Sequence, residues 1–279
     1  MHTARGTYVR FLSSRRRHPA AKGLLLVFAL FVMGALYTVV VPTTQVSAET
    51  GTSQQVTAGK QLFAVGCASC HGLNGEGQVS GTIQGPPLAG VGAASVDFQV
   101  GTGRMPMARP AEQAPVRPNR YSEEEVAALA AYVATMGPGP DVPDAALLDT
   151  SKVSEEDIAR GGELFRTNCS ACHNFAGAGG ALPGGKYAPS LYGVSPKHIY
   201  EALLIGPQQM PVFSEEVMTP DDKRAVIAYL NDLHEAPDRG GLALGALGPV
   251  SEGLWAWLLG LGSLIGFAIW IAAKGAKAR

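Results

Sequence analysis

The sequence has little charge, and the charge it has is balanced. Charged residues make up 16% of the 279 positions, and 22 basic against 23 acidic side chains leave a formal net charge of -1. Nucleic-acid-binding proteins normally present a basic face, so this composition gives no support to nucleic acid as a partner. The low charged fraction and a mean hydropathy of +0.10 indicate instead that part of the chain lies in lipid.

No cysteine is left over for a structural disulfide. All four cysteines fall in two C-x-x-C-H patterns, at 67–71 and 169–173. Two thiols about one turn apart suit two thioether bonds to a haem edge, and the adjacent histidine can reach the iron. Zinc is the alternative, but the histidine directly after each second cysteine is typical of c-type haem. We therefore predict two covalently bound haems c, held by Cys67, Cys70 and His71 and by Cys169, Cys172 and His173.

No convincing strand pattern is present, and the chain instead repeats itself with a period of about 100 residues. The segment GKQLF at 59–63 precedes the first cysteine pair as GGELF at 161–165 precedes the second. Each repeat ends in a helix with one apolar face, formed by Leu129, Tyr132, Val133 and Met136 in the first repeat and by Val226, Tyr229, Leu230 and Leu233 in the second. The sequence thus predicts two similar, mainly helical domains.

Polar residues mark where these helices begin. Ser122 with Glu125 forms a capping box, and Thr219, Pro220 and Asp222 provide a cap, a first-turn proline and a first-turn acid at the second closing helix. Ser154, three residues before an aspartate, is predicted to cap the helix that leads into the second cysteine pair.

Each haem iron needs a sixth ligand, and a methionine thioether opposite the histidine raises the reduction potential. Met105 and Met210 are the candidates, because each precedes proline and occupies the same point in its repeat. Met107 competes with Met105 but has no equivalent in the second repeat. His198 and His234 are interpreted as ordinary polar residues.

Two hydrophobic runs frame the chain. Residues 23–41 are uncharged and follow a basic N-terminus, and residues 253–273 are uncharged and precede Lys274, Lys277 and Arg279. Basic flanks mark the cytoplasmic side, so we expect both termini in the cytoplasm and the repeats outside it. The first run is longer than a usual signal-peptide core, which favours an anchor, but the small residues 46–48 resemble a cleavage site.

These patterns give a complete division of the chain. The predicted segments are the basic N-terminus with its membrane helix or signal (1–48, helix 23–41), the first repeat (55–139), a linker (140–152), the second repeat (153–236), a juxtamembrane linker (237–252) and a C-terminal transmembrane helix (253–273).

Each repeat resembles a class I cytochrome c domain, on the evidence of its haem motif, its methionine and its closing helix. The resemblance implies a mainly α fold of two tandem class I cytochrome c domains flanked by transmembrane helices. It also implies that Pro86 and Pro189, which follow the haem motifs, offer their carbonyl oxygens to the axial histidines. The alternative is that these prolines only shape the turn.

The whole arrangement resembles the dihaem cytochrome c subunit of the actinobacterial menaquinol:cytochrome c reductase, the cytochrome bc complex. The resemblance implies a cytochrome b subunit and a Rieske iron–sulfur subunit as partners in the bacterial cell membrane. It also implies electron delivery to cytochrome c oxidase in a supercomplex. No catalytic residue is expected in this chain, which would be an electron carrier within a quinol–cytochrome c reductase.

Two other functions are kept as alternatives. One is a dihaem subunit of a terminal oxidase or another membrane reductase, which usually lacks a helix like 253–273. The more distant one is a dihaem peroxidase, which would need an iron without a stable sixth ligand. The proline-containing loop 109–121 is interpreted as a solvated spacer, with a docking surface as the alternative.

Overall fold

The computed structural model describes residues 19–40, 52–80, 83–109, 111–235 and 249–277. The chain divides into two compact units, residues 1–48 and 49–279. The first unit contains helix α1 (Pro19–Val40). The helices of the second unit are α2 (Ser53–Gly66), α3 (Ala68–His71), α4 (Gly92–Gly101), α5 (Glu123–Ala134), α6 (Ala145–Leu148), α7 (Glu155–Asn168), α8 (Ser170–His173), α9 (Pro196–Ile205), α10 (Pro220–Glu235) and α11 (Pro249–Lys277), with a 3-10 turn at Pro183–Gly185. The predicted mainly α fold is confirmed.

Two short antiparallel ladders correct the expectation that the chain has no strands. Strands β1 (Gln78–Ser80) and β2 (Ile83–Gly85) pair in the first repeat, and β3 (Gly180–Ala181) and β4 (Tyr187–Ala188) pair in the second. Strands of two or three residues are too short to produce the alternating pattern by which a strand is recognised in a sequence.

Each repeat is built on a close crossing of its first and last long helices. A Cβ atom on Gly59 of α2 would overlap the carbonyl oxygen of Ala128 on α5. The same holds for Gly161 of α7 and Ala225 on α10. Glycine at these two points therefore lets the helix backbones touch, which a side chain would prevent.

Aromatic pairs lie one turn beyond each crossing. Phe63 packs edge-on against Tyr132 with ring centroids 5.3 Å apart, and Phe165 packs against Tyr229 at 5.8 Å. Both phenylalanines are buried. The first core contains Phe63, Ala68, Val100, Val126, Leu129, Tyr132 and Val133, and the second contains Phe165, Cys169, Ile199, Tyr200, Leu203, Phe213, Met218, Val226, Ile227 and Leu230.

The predicted helix caps are confirmed. Ser122 Oγ accepts from the Glu125 amide, and the Glu125 carboxylate accepts from the Ser122 amide at 2.8 Å. Thr219 and Asp222 form the same reciprocal pair at α10. These contacts satisfy amide groups that a helix start would leave unpaired.

The segment between the repeats is folded onto both of them. The Ala94 amide donates to the Pro140 carbonyl at 3.0 Å, which fixes the start of the linker on the first repeat. Further along, Leu147 and Leu148 of α6 pack against the second core. The predicted linker 140–152 is thus a packed connection.

Helices α4 and α9 bring the two repeats into contact. The ring of Phe98 on α4 packs edge-on against that of His198 on α9, with centroids 6.2 Å apart. Lys197 Nζ lies 2.7 Å from Asp97 Oδ1, and this pair also joins the two helices. The repeats therefore share an interface of apolar and charged contacts.

Helix α11 contains a stretch, Ser251–Gly275, that is long and apolar enough to cross a membrane and is not buried in the protein. It includes the predicted span 253–273. Within the described side chains, α1 contributes a shorter apolar stretch, Lys22–Leu36. The predicted cleavage site 46–48 and most of the juxtamembrane linker 237–252 lie outside the described residues.

The crossing glycines predict a large effect of small substitutions. Gly59→Ala and Gly161→Ala should each lower the free energy of unfolding by about 1–3 kcal/mol, because the added methyl group meets backbone that cannot move aside. Thermal unfolding of the full-length protein in detergent would measure this. Lys60→Ala, at an exposed neighbouring position on α2, is the control. Glycine variants as stable as that control would contradict the proposed role of the crossing.

Candidate haem sites

The first C-x-x-C-H motif forms a single helical turn at the end of α2. The Cys67 amide donates to Phe63 at 2.9 Å, which ties the start of the motif to the first core. The amides of Cys70 and His71 both donate to the Cys67 carbonyl, at 3.1 and 3.0 Å. These bonds close the turn, so the two thiols and the imidazole belong to one rigid segment.

The second motif repeats this geometry. The Cys169 amide donates to Phe165 at 2.8 Å, and the amides of Cys172 and His173 donate to the Cys169 carbonyl at 3.1 and 2.9 Å. The predicted sites are therefore two copies of one local structure.

Each motif histidine is bonded to the proline predicted for it. His71 Nδ1 lies 2.8 Å from the Pro86 carbonyl oxygen, and His173 Nδ1 lies 2.9 Å from that of Pro189. A carbonyl only accepts hydrogen bonds, so Nδ1 must carry the hydrogen. In the neutral ring Nε2 then keeps its lone pair, which is the form in which imidazole binds iron.

Burial shifts the pKa of His173, Cys67 and Cys169. It lowers the pKa of His173, although the bond to Pro189 partly opposes the effect. Burial, with a smaller contribution from Cys70, raises the pKa of Cys67 to about 11, and burial with Cys172 raises that of Cys169 to about 11. Thiols with such a pKa are protonated near neutral pH.

The short ladders pack directly on the motif turns. A Cβ atom on Gly85 of β2 would overlap the Cys70 carbonyl oxygen, and one on Gly180 of β3 would lie 2.8 Å from that of Cys172. Each ladder thus covers the backbone of its motif and leads the chain to the proline that the histidine bonds.

The predicted methionines lie on the cores next to the motifs. Met105 packs against the first core, as does Cys67, and its amide donates to Gln99 at 2.8 Å. Met210 packs against the second core, which contains Cys169. The structure therefore brings each methionine to the core that also holds the first cysteine of its motif.

A cavity of about 890 Å³ surrounds the second motif. The predicted residues that line it are Cys169, Cys172, His173, Pro189 and Met210. Its volume lies within the range of small-molecule and cofactor sites, about 300–1,000 Å³. The donor set, the available Nε2 and the cavity fit a haem bound at this motif.

The first repeat forms part of the wall of this cavity. Its lining residues include Phe98, Arg104, Ala114 and Val116. Arg104 is half-buried with its guanidinium 4.7 Å from the centre of the Phe98 ring, and burial lowers its pKa. Nothing in the sequence pattern indicated that one repeat completes the site of the other.

The loop 109–121 contacts the second repeat at Gln113 and Ala114, while most of its other described residues are exposed, as expected of a spacer. The Gln113 amide group donates to the Tyr187 carbonyl at 2.6 Å and accepts from the Tyr187 amide at 3.1 Å. Ala114 is buried and its carbonyl accepts from Gln208 at 3.5 Å. The loop therefore packs on the second repeat beside its cavity.

The other two histidines in the described part of the chain lie in different surroundings. His234 stacks on Tyr192 with centroids 3.9 Å apart, and its Nε2 lies 3.3 Å from the Ala176 carbonyl. His198 instead faces Asp97 at the contact between the repeats, with 3.7 Å between its Nε2 and Oδ1.

Comparison with known proteins matches residues 56–137 to the family described as cytochrome c. Residues 156–230 match the family described as cytochrome c oxidase, cbb3-type, subunit III. Over most of its length the chain is similar to proteins named cytochrome bc1 complex cytochrome c subunit. The relative from Mycobacterium bovis is 44% identical over 264 residues, with 93% of each chain covered. That from Corynebacterium efficiens is 42% identical over 270 residues, covering 92% of this chain and 90% of the relative.

A more distant relative matches only one part of the chain. It is named cbb3-type cytochrome c oxidase subunit and comes from Sinorhizobium medicae. The two chains are 28% identical over 93 residues, which is 29% of this chain and 32% of the relative.

The methionine assignment predicts a change in the visible spectrum. Met105→Ala and Met210→Ala should each abolish the methionine–iron absorption of one haem, because the thioether ligand is lost. Absorption spectra of the oxidised, haem-loaded protein would measure this. Met107→Ala is the matched control and should leave both signals intact. If Met107→Ala removes the signal of the first haem and Met105→Ala does not, the sixth ligand is Met107.

Proposed function

Because this chain belongs to the family of cytochrome bc1 complex cytochrome c subunits, which transfer electrons within that complex, we propose that it relays electrons through two c-type haems from the Rieske iron–sulfur subunit to cytochrome c oxidase. The complex would be a menaquinol:cytochrome c reductase, and its cytochrome b subunit would be the second partner. Reductase activity would belong to the complex, while this chain would be the electron carrier.

The observation that carries this proposal is the pair of equivalent histidine–proline turns within one compact unit. The bonds at 2.8 and 2.9 Å orient both imidazoles alike. Contacts between α4 and α9, together with the Gln113 bonds, hold the repeats against each other. An electron carrier with two centres needs this fixed spacing, since the protein contributes position and electrostatic tuning.

Ten residues would hold the two haems. Cys67, Cys70, Cys169 and Cys172 would form the thioether bonds, and His71 and His173 would supply Nε2 to iron. Met105 and Met210 would supply their thioethers to the iron as well. Pro86 and Pro189 would orient the imidazoles and increase their basicity through Nδ1.

When bound, each haem supplies a one-electron iron couple. The methionine ligands would raise its reduction potential and leave no open position for oxygen or peroxide. At the second site, Leu203 and Phe213 of the core line the cavity and exclude water. Arg104 and Lys186 also line it and would contribute positive charge to the site, where Lys186 is paired with Glu112 at 3.6 Å.

The protein is anchored in the membrane by α11, and we propose that it spans the membrane twice. Helix α1 would be the second span, with both termini in the cytoplasm and the repeats on the extracytoplasmic side. At the end of α11, Lys274 Nζ lies 4.2 Å from the centre of the Trp270 ring. An aromatic ring beside a basic residue is typical of a helix end at a membrane surface.

A subunit of a terminal oxidase remains the second candidate. The match of residues 156–230 to a cbb3-type oxidase subunit favours it. That match covers only the second repeat, whereas the cytochrome bc1 relatives extend over more than nine-tenths of the chain.

Purification of the chain from its native membrane tests the assignment of partners. In mild detergent, a tagged chain should bring down a cytochrome b protein, a Rieske protein and subunits of cytochrome c oxidase, all identified by mass spectrometry. A tagged, unrelated single-span protein of the same membrane is the control. Recovery of oxidase subunits without cytochrome b and Rieske proteins would favour the second candidate.

An intact mass of the purified chain tests the haem count and the N-terminus together. We expect the mass of the polypeptide plus two haems, because thioether bonds survive denaturation. If residues 1–48 are retained as an anchor, the mass includes them. Cys169→Ala with Cys172→Ala should remove one haem, and a chain that keeps both haems would contradict the assignment.

A further inference from the structure

A group of charged side chains lies where the two repeats meet. Asp97 comes from α4 of the first repeat, and Lys197, His198 and Glu201 come from α9 of the second. Asp97, His198 and Glu201 each offer one potential ligand atom, and these three atoms lie within 4.8 Å of one another. None of them is among the residues predicted to hold a haem, although Asp97, Lys197 and His198 lie in the wall of the cavity at the second motif.

The Glu201 carboxylate is buried without a hydrogen-bond donor. The residue is 0% exposed, and neither of its oxygens has a hydrogen-bond partner among the described residues. Its acidic neighbour Asp97 is only 6% exposed. Two carboxylates removed from water at one place are unfavourable unless a cation or a proton neutralises them.

Distances in the group resemble those between the ligands of one metal ion. His198 Nε2 lies 3.7 Å from Asp97 Oδ1, which is too long for a hydrogen bond. Two ligands of a tetrahedral zinc ion, each bound at about 2.0–2.1 Å, lie about 3.3 Å apart. A shift of a few tenths of an ångström would bring these two atoms to that separation.

Lys197 does not remove the need for a further cation. Its Nζ lies 2.7 Å from Asp97 Oδ1, but its side chain is 38% exposed, so water screens its charge. The bond to Asp97 also leaves both Glu201 oxygens without a donor. Carboxylates that bind metals commonly accept a hydrogen bond from a neighbouring side chain, and Lys197 would be the donor to Asp97.

We propose that Asp97, His198 and Glu201 bind one divalent cation of the zinc type, which joins the two haem-bearing repeats. One imidazole and two carboxylates are a donor set that zinc accepts. Because the ligands come from both repeats, the cation would stabilise their contact near the cavity wall. Without a cation, Glu201 would hold a proton, since burial and the charge of Asp97 raise its pKa to about 9.

Zinc analysis of the purified complex that contains the full chain tests this site. The complex would be stripped with a chelator, equilibrated with zinc chloride and washed, and zinc would be measured against haem iron by mass spectrometry. The wild-type complex should contain one more zinc ion per chain than the complex that carries the Glu201→Gln variant. Zinc affinity should fall by about 100-fold or more, because losing a direct ligand costs at least as much as losing an outer partner.

A control variant, a second ligand variant and X-ray absorption complete the test. Glu156→Gln, an exposed acid on α7, is the matched control and should bind zinc as the wild type does. His198→Gln is a second ligand variant, for use if Glu201→Gln impairs folding, and it should also lose the zinc. A content of two haems per chain would show that a variant is correctly assembled. X-ray absorption at the zinc edge should show nitrogen and oxygen ligands without sulfur.

Two outcomes would overturn the proposal. One is equal zinc binding by the wild type, Glu201→Gln and His198→Gln. The other is no additional zinc in the wild type together with an infrared band of a protonated carboxyl that disappears in Glu201→Gln. In that case the buried pair shares a proton.

Discussion

The direct contact of two helix backbones in each repeat sets the position of its C-x-x-C-H motif. At Gly59 and Gly161 the first helix of the repeat touches the closing helix through main-chain atoms. The motif turn begins where that first helix ends, bonded to Phe63 or Phe165. Because these phenylalanines pack beside the crossing, a change in the crossing angle would move the thiols and the imidazole together.

Local features of the fold could be predicted from the sequence because neighbouring residues determine them. The capping pair Ser122 and Glu125, the apolar face of α5 and the spacing of each C-x-x-C-H motif are all of this kind. The histidine–proline contacts were expected only from the resemblance to class I cytochromes c. The ladders were missed because two- or three-residue strands depend on backbone pairing and on glycines such as Gly85.

Contacts between the repeats could not be predicted from one sequence. Asp97 and Glu201 are separated by about 100 positions, and neither lies in a recognisable pattern. The contact that the loop 109–121 makes at Gln113 and Ala114 was missed for the same reason. The prolines and polar residues of this segment are typical of an exposed loop, yet Ala114 is buried against the second repeat. The two repeats are therefore similar in sequence but unequal in structure, since the first supplies part of the wall of the second site.

The hydrogen bonds of Gln113 have a consequence for how the sequence can evolve. Both of them go to the backbone of Tyr187, one to its carbonyl and one to its amide, and neither involves the phenol ring. Nineteen of the twenty amino acids offer the same two groups, and only proline lacks the amide hydrogen. The Gln113 contact therefore sets no requirement on the side chain at position 187 except that it is not proline, and any demand on its size comes from the cavity that Tyr187 lines.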